Sequence, residues 1–401
     1  MPDITVKPSG APLDTPLAIL VEDLPPGESV TVRFTTGDRC AEAVFVADDR
    51  GVVDLRVHAP VRGSYSGVDA MGLFWSTTAT GDEPGPERVV VAGVGEVELD
   101  RRRVPEGVKR TEVSENGLVG VLFEPDDGVE HPGVIVLGGS EGGLHELDAA
   151  LLAGHGFAAL ALAYFGVDGV PEYLVDIPLE YVGTAIAYLK KRTTGVGLVG
   201  GSRGGELALL AGAAFPDVKA VVSVVGSGVV TQCIGPGDRL LDKIGLEAAS
   251  WTWEGRPLPY LPYSVPDELR ARIVDGRPVA LRLAFDLADG IPADVEIPVE
   301  RIEGGVLLLS AADDESWPCT DLSDVAYRRL KDSYHPHEFE HVVYPGAGHL
   351  IAGPPYRSTS DVLVPGPGVT FALGGMPALT AAAKADAWRR TVEFFTARLA
   401  T

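Results

Sequence analysis

Cysteine is scarce in this sequence, and the scarcity limits the sites and compartments to consider. Only Cys40, Cys233 and Cys319 occur among 401 residues, and they lie far apart. Neither a disulfide framework nor a cysteine-based zinc site fits so few and so widely spaced thiols. Because free thiols persist in a reducing compartment, we expect a cytoplasmic protein.

Positive charge is also in short supply. The chain has 33 lysines and arginines against 57 aspartates and glutamates, which gives a net charge of −24. Nucleic acids and anionic membranes bind to basic surfaces, so neither is expected as the main partner. A phosphorylated small molecule remains compatible with this charge, since it needs only a few local cations.

Long hydrophobic runs and metal motifs are missing as well. The longest apolar run, around residues 218–230, contains Lys219 and is too short to span a bilayer. The first twenty residues lack the charged-then-apolar pattern of a signal peptide. There is no H-E-x-x-H motif and no grouping of cysteine with histidine. We therefore expect no membrane segment, no metal and no resident cofactor.

Residues 1–115 have the pattern of an antiparallel β-sandwich domain. Short runs such as 29–35 and 42–46 alternate between apolar and polar residues and are separated by turn residues. A further strand is predicted at 73–77. The charged stretch 101–116 predicts an exposed linker to the next domain.

Residues 116–401 follow a different pattern, in which predicted strands alternate with predicted helices. Apolar strands are predicted at 134–137 and 196–199, with helical spacing between them. Such alternation predicts a mainly parallel sheet with helices on both faces. Residues 228–300 interrupt it and are rich in Pro, Trp and Tyr. We interpret this insertion as a lid or substrate wall, with a packed connector as the alternative.

The most informative motif is Gly200-Gly201-Ser202-Arg203-Gly204, a G-x-S-x-G pentapeptide. Residues 196–199 before it predict a buried strand, and residues 205–213 after it predict a helix. A serine on such a strand-to-helix turn is pushed out above the sheet as a nucleophile. Small neighbours permit the strained turn, and the helix N-terminus favours developing negative charge. The alternative is an ordinary tight connection.

A serine nucleophile needs a base and a carboxylate that orients the base, in the chain order serine, acid, histidine. His349 follows a predicted strand on a loop of small residues, where a catalytic histidine belongs. Three adjacent carboxylates, residues 313–315, follow the preceding strand. Like charges disfavour joint burial, so we expect one to turn inward. Its position favours Asp314, with Asp313 as the alternative.

The tetrahedral intermediate also needs donors for its oxyanion. One is the backbone N–H of the residue after the nucleophile, which is Arg203. The second is expected from the Gly-rich loop 138–143, and Gly139 is the candidate. A Gly-rich loop after a strand is also typical of a phosphate cradle, but no GxGxxG motif or Walker lysine accompanies it.

These motifs resemble those of the acyl-CoA thioesterase and bile acid-CoA:amino acid N-acyltransferase family. The resemblance covers nearly the whole chain and is carried by residues 63–75, 152–164, 195–207, 313–314, 348–349, 374–375 and 386–388. It implies an N-terminal β-sandwich, an α/β-hydrolase domain, and acyl-CoA thioesters as small-molecule substrates. It also implies a triad of Ser202, Asp314 and His349. In this family a serine nucleophile goes with hydrolysis and a cysteine with transfer to an amino acid.

We therefore expect an acyl-CoA hydrolase that works through an acyl-serine intermediate. The alternatives are transfer of the acyl group to an amine or alcohol, a carboxylesterase or peptidase, and a catalytically silent binding protein. Oligomeric state stays open, with a homo-oligomer among the alternatives. CoA recognition needs cations near the pocket mouth, and the candidates are Arg203, Lys190, Lys191, Arg192, Arg239 and Lys243.

Overall fold

The computed structural model describes residues 1–79 and 85–399; residues 80–84 and 400–401 of the predicted domains lie outside the described residues. The N-terminal domain is built from two antiparallel sheets. One contains Asp3–Lys7, Ala18–Glu22 and Val53–Asp54, and the other contains Gly95–Glu98, Glu87–Val91, Ser29–Thr36, Arg39–Val46, Arg62–Gly63 and Thr78–Ala79. Ile19, Val32 and Phe45 are fully buried in the core of this domain. The predicted antiparallel sandwich is confirmed.

The predicted strand at 73–77 is wrong, because Gly72–Trp75 is a short helix. Its residues are buried without alternation, so period alone does not separate a strand from a helix there. Asp69 favours the helix, since its carboxylate accepts hydrogen bonds from the Met71 N–H at 2.8 Å and the Trp75 indole N–H at 2.7 Å.

The second domain contains an eight-stranded sheet. Its strands are β1 (Val108–Val113), β2 (Val119–Pro125), β3 (Gly133–Leu137), β4 (Ala158–Ala163), β5 (Val196–Gly201), β6 (Val218–Val224), β7 (Gly305–Ala311) and β8 (Phe339–Tyr344). The spatial order is β1-β2-β4-β3-β5-β6-β7-β8. The pairs from β4 through β8 are parallel, and β2 is antiparallel to both β1 and β4.

Strand β1 corrects two predictions at the domain boundary. Residues 108–113 were expected in an exposed linker, yet they hydrogen-bond to β2 along its whole length. The second domain's sheet therefore begins before residue 116. The stretch was misread because only one of its residues, Val113, is buried, as suits an edge strand of alternating polar residues.

Five helices cover the two faces of the sheet. They are α1 (Glu146–Gly154), α2 (Leu179–Lys190), α3 (Arg203–Ala214), α4 (Cys319–Asp332) and α5 (Pro377–Leu399). Val182 of α2 and Leu207 of α3 belong to one buried cluster, whereas Leu151 of α1 and Phe395 of α5 belong to the other. A mostly parallel sheet buried on both faces is the predicted fold class, which is confirmed.

Residues 228–300 include the short helices Leu240–Ile244 and Asp267–Val274 and the strand Trp251–Trp253. Trp251 is fully buried, and its indole N–H donates to the Glu206 carboxylate of α3 at 2.6 Å. These contacts join the insertion to the body of the domain, as the packed-connector alternative requires.

The two domains meet along the segment that follows β8. Asp14 of the sandwich accepts a hydrogen bond from the Trp388 indole of α5 at 2.9 Å. The Thr359 N–H donates to the Trp75 carbonyl at 3.0 Å, and Arg39 pairs with Asp361 at 2.5 Å. Residues 349–361 therefore connect the carboxyl end of the sheet to the sandwich.

Candidate active site

Ser202 lies at the turn between β5 and α3. Its φ of 54° and ψ of −119° are unusual for a residue with a side chain, and its N–H donates to the Val224 carbonyl at 2.9 Å. Strained backbone of this kind marks functional sites, and here it raises the serine above the sheet edge. Gly204 permits the close fit, because a Cβ there would lie 2.3 Å from the Leu137 carbonyl oxygen.

Asp314 and His349 follow β7 and β8 and are joined directly. The Asp314 Oδ2 atom lies 2.7 Å from the His349 Nδ1 atom. The other carboxylate oxygen accepts hydrogen bonds from the Ser316 and Trp317 N–H groups, and Asp314 is 1% exposed. Asp313 is exposed. Of the two candidate acids, the structure therefore brings Asp314, the favoured one, to the histidine.

Gly374 fixes the approach of these two loops. Its φ is +74°, and a Cβ at this position would lie 2.0 Å from the Asp313 carbonyl oxygen. The neighbouring Leu373 carbonyl accepts the His349 N–H at 2.9 Å. The pair of glycines at 374–375 in the family resemblance therefore has a structural reason, since a side chain there would separate the acid from the histidine.

The environment of His349 tunes its basicity. Burial lowers the pKa of the imidazole, but the charge and hydrogen bond of Asp314, together with the charge of Glu141, outweigh burial and raise the pKa above its usual value of 6.5. An imidazole held in this way accepts a proton near neutral pH and is stabilised once it is charged.

Ser202 and His349 line the same cavity, which has a volume of about 290 Å³. Val136, Val224 and Ile351 supply apolar wall, and Trp388 of α5 closes one side. Among the described residues, no hydrogen bond joins the Ser202 hydroxyl to the imidazole. Such contacts are often loose without substrate and tighten on binding.

The insertion does not contribute to this cavity. None of its described lining residues belongs to 228–300, and the wall comes instead from residues 349–353 and from α5. The role of 228–300 as a lid or substrate wall stays a prediction, and its residues are absent from the described lining of this cavity. Aromatic residues in an insertion pack against a core as readily as against a ligand. Here Trp251 packs into the buried core.

The two expected oxyanion donors are placed differently. Arg203 is the first residue of α3, so its N–H has no partner within the helix. The Gly139 N–H instead donates to the Glu141 carboxylate at 3.1 Å. His145 holds the same carboxylate oxygen at 2.9 Å. The oxyanion role of Gly139 stays a prediction and requires Glu141 to release its N–H.

Sequence reasoning missed several charged residues at the cavity. Glu141, His145, Asp148 and Arg357 all line it. Glu141 lies within the Gly-rich loop, but only the glycines of that loop entered the sequence-based prediction. Arg357 follows His349 by eight residues and stands in no motif, so nothing in the sequence marked it.

The cations expected to recognise CoA lie elsewhere. The Arg203 side chain is buried beside Glu206, with Nη1 and the carboxylate 3.1 Å apart. Three others pair with carboxylates or aromatic rings away from the cavity: Lys190 with Asp217, Arg192 with Glu115 and Tyr188, and Arg239 with Asp242. Lys243 lies over Tyr173, and no cation of the candidate set lines the cavity. The sequence did not say which of these candidates face the site, and the need for cations near the pocket mouth stays a prediction.

The described part of the chain has neither a cluster of metal ligands nor a membrane-spanning helix. Within residues 1–79 and 85–399, no three His, Cys, Asp or Glu side chains are grouped as metal ligands. No helix in those ranges has both the length and the apolar character that crossing a bilayer demands.

Comparison with known proteins identifies the family. A model for the C-terminal region of BAAT and acyl-CoA thioester hydrolases matches residues 177–401, and one for the N-terminal region matches residues 14–92. Acyl-coenzyme A thioesterase 1 of Mus musculus is 31% identical, covering 98% of this chain and 96% of that protein. The chain belongs to the acyl-CoA thioester hydrolase/BAAT family. The resemblance drawn from the sequence is therefore confirmed.

Further relatives of this acyl-CoA thioester hydrolase/BAAT family member have varied descriptions. Mitochondrial acyl-coenzyme A thioesterase 2 of Mus musculus is 30% identical, covering 98% of this chain and 88% of its own. Because that relative is mitochondrial, the cytoplasmic location stays a prediction. Among solved structures, a puromycin-hydrolyzing peptidase of Mycobacterium tuberculosis aligns with a TM-score of 0.45 and 14% identity, covering 96% of this chain and 52% of its own.

Proposed function

We propose that this protein hydrolyses acyl-CoA thioesters, with Ser202 as the nucleophile, His349 as the base and Asp314 as the orienting acid. The observation that carries the proposal is the strained Ser202 turn facing one cavity with the 2.7 Å pair of His349 and Asp314. Family membership supports a thioester substrate, since the relatives are named acyl-coenzyme A thioesterases. The reaction requires the thioester and water, with no resident cofactor.

Acylation is the first half of the proposed reaction. Neutral His349 accepts the Ser202 hydroxyl proton as the oxygen attacks the thioester carbonyl carbon. The carbonyl electron pair moves to oxygen, which accepts hydrogen bonds from the backbone N–H groups of Arg203 and, once Glu141 has moved, Gly139. Collapse breaks the carbon–sulfur bond, and His349 gives its proton to the departing thiolate.

Deacylation completes the cycle. Water takes the place of the thiol, and His349 accepts one of its protons as the oxygen attacks the acyl-serine. The second tetrahedral intermediate releases the Ser202 oxygen, which recovers a proton from the imidazolium. The Asp314 carboxylate orients and stabilises the imidazolium in both halves. The products are a free acid and the CoA thiol.

The test follows thiol release and the acid formed in water enriched in oxygen-18. Wild-type protein is expected to release both products with one labelled oxygen per acid. Ser202→Ala should lower the rate by at least about 10⁴-fold, because the nucleophile is gone. Ser29→Ala, an exposed serine of the sandwich, is the matched control and should keep the wild-type rate.

Three results would count against this function. Retention of thiol release by Ser202→Ala would exclude the acyl-serine route. Formation of amides or esters in preference to the labelled acid, across a panel of amines and alcohols, would show that the protein is an acyltransferase. Activity toward oxyesters with none toward acyl-CoA would show that it is a carboxylesterase.

A further inference from the structure

A second groove opens between the sandwich and the sheet domain. It has a volume of about 610 Å³ and is lined by Arg39 and Arg103 from the N-terminal side and by Arg357 and Lys384 from the second domain. Leu350 and Arg357 line both this groove and the cavity of Ser202. The two spaces therefore adjoin, and a long ligand can occupy both.

Cations outnumber carboxylates in the lining of the groove. The cations are Arg39, Arg101, Arg103, Arg357 and Lys384, and the carboxylates are Asp38, Glu87 and Asp361. Two of these carboxylates are engaged by neighbouring arginines, Glu87 by Arg101 at 3.3 Å and Asp361 by Arg39 at 2.5 Å. A local excess of positive charge on a chain of net charge −24 favours an anionic ligand at this place.

Arg357 is central to this excess. Neither Arg103 nor Arg357 forms an ion pair or hydrogen bond with any residue in the described part of the chain. Desolvation lowers the pKa of Arg357, Asp148 opposes this, and the positive charges of Arg103 and Arg39 lower it further. Like charges held together without an anion repel one another, and a bound anion removes that repulsion.

Lys384 adds a buried amine to the same wall. It is 7% exposed, and its ammonium group donates to the Leu350 carbonyl at 3.2 Å. Burial, helped by the charge of Arg357, lowers the pKa of Lys384 to about 8. The junction between groove and cavity therefore carries two cations, one from α5 and one from the segment after His349.

We propose that this groove binds the phosphate groups at the nucleotide end of the CoA carrier, chiefly through Arg103 and Arg357. The inference rests on the proposed function and specifies where the carrier lies. In CoA the pantetheine arm separates the thioester from the phosphates, so a substrate with its carbonyl at Ser202 needs a second site that adjoins the first. One guanidinium group can donate two parallel hydrogen bonds to two oxygens of a phosphate. The groove also has the volume of a small-molecule site.

Direct binding tests the site without turnover. Adenosine 3′,5′-bisphosphate is titrated into Ser202→Ala by calorimetry, and then into the same protein with Arg103→Gln, and with Arg103→Gln and Arg357→Gln together. The double change is expected to weaken binding at least about tenfold, with Arg103→Gln alone intermediate. Arg33→Gln is the matched control, since Arg33 is an exposed sandwich arginine paired with Glu42.

Kinetics supply the second arm. With acyl-CoA, Arg103→Gln is expected to raise KM about threefold while kcat stays within twofold, since Arg103 lines the groove and is not among the residues that line the Ser202 cavity. With an acyl-pantetheine, which has no phosphates, the same single variant should match the wild type. Equal nucleotide binding by all variants, or equal impairment with both substrates, would overturn the proposed site. Because Arg103 is exposed, its single variant remains informative if the double variant fails to fold.

The two proposals fail in different ways. If Ser202→Ala kept its hydrolytic rate, the proposed function would fall, while the nucleotide titration would still give its own result. If the affinity for the nucleotide were unchanged by substitution of Arg103 and Arg357, the groove proposal would fall, while the dependence of hydrolysis on Ser202 would stand. High salt should weaken nucleotide binding in the wild type more than in the double variant, because the attraction is ionic.

Discussion

The cavity of Ser202 and the groove between the domains adjoin at Arg357, yet they are built differently. In the cavity, backbone turns at the ends of β5, β7 and β8 place Ser202, Asp314 and His349. In the groove, side chains from separate parts of both domains come together, and Arg357 forms neither an ion pair nor a hydrogen bond among the described residues. The proposed catalytic residues are thus positioned by local motifs, whereas the proposed carrier site depends on how the domains pack.

The largest expected effect comes from the cavity. Asp314→Asn removes the charge that holds and stabilises the imidazole, so kcat/KM should fall by about 10⁴-fold. Asp313→Asn is the matched control, because Asp313 is adjacent but exposed, and it should stay within twofold of the wild type. Steady-state hydrolysis of acyl-CoA measures both. Equal losses in the two variants would show that the contact with His349 does not decide which of the two carboxylates is the catalytic acid.

A second prediction contrasts a paired arginine with an unpaired one. Glu206→Ala leaves the buried guanidinium of Arg203 without its partner, and the free energy of unfolding should fall by about 3–5 kcal/mol. Arg357→Gln breaks no ion pair and should change it by less than about 0.5 kcal/mol. Denaturant unfolding of the two variants measures the difference. Similar losses would mean that Arg357 is part of the structural framework instead of a ligand site.

The smallest expected effect concerns pH. Because Asp314 and Glu141 raise the pKa of His349, the acid limb of kcat/KM should have its midpoint above 6.5, and activity should fall as the pH drops through it. Glu141→Gln removes one negative charge and should move that midpoint downward. A pH–rate profile of each protein measures the shift. An unchanged or raised midpoint would contradict the assigned electrostatic role of Glu141.

The sheet was predicted well from the sequence, for a physical reason, and the roles of the triad candidates stay predictions. Strands buried on both faces, such as β3 and β4, are continuous apolar runs that are easily recognised. The pentapeptide around Ser202 has a local requirement for small residues, which leaves a local signature. The choice between Asp313 and Asp314 stayed open in the sequence reasoning alone, because burial distinguishes adjacent carboxylates only in the folded chain.

Other features depend on distant contacts and left no comparable signal. Arg103 and Arg357 are far apart in the chain, and only domain packing puts them in one groove. The sequence of helix Gly72–Trp75 was misread as a strand because its residues are all buried, so the spacing of apolar residues does not distinguish the two structures. The hydrogen bonds accepted by Asp69 favour the helix. The aromatic residues of 228–300 suggested a substrate wall. Trp251 is instead held in the core by the hydrogen bond from its indole N–H to the Glu206 carboxylate.

The most direct test of the account is covalent labelling of the nucleophile. The protein is treated with a fluorophosphonate, and the labelled peptide and the remaining acyl-CoA hydrolysis are measured at each time point. The account predicts one phosphonyl group per chain, on Ser202, with activity lost in proportion to labelling. Full labelling of Ser202 with hydrolysis retained, or loss of hydrolysis with the label on another residue, would contradict it.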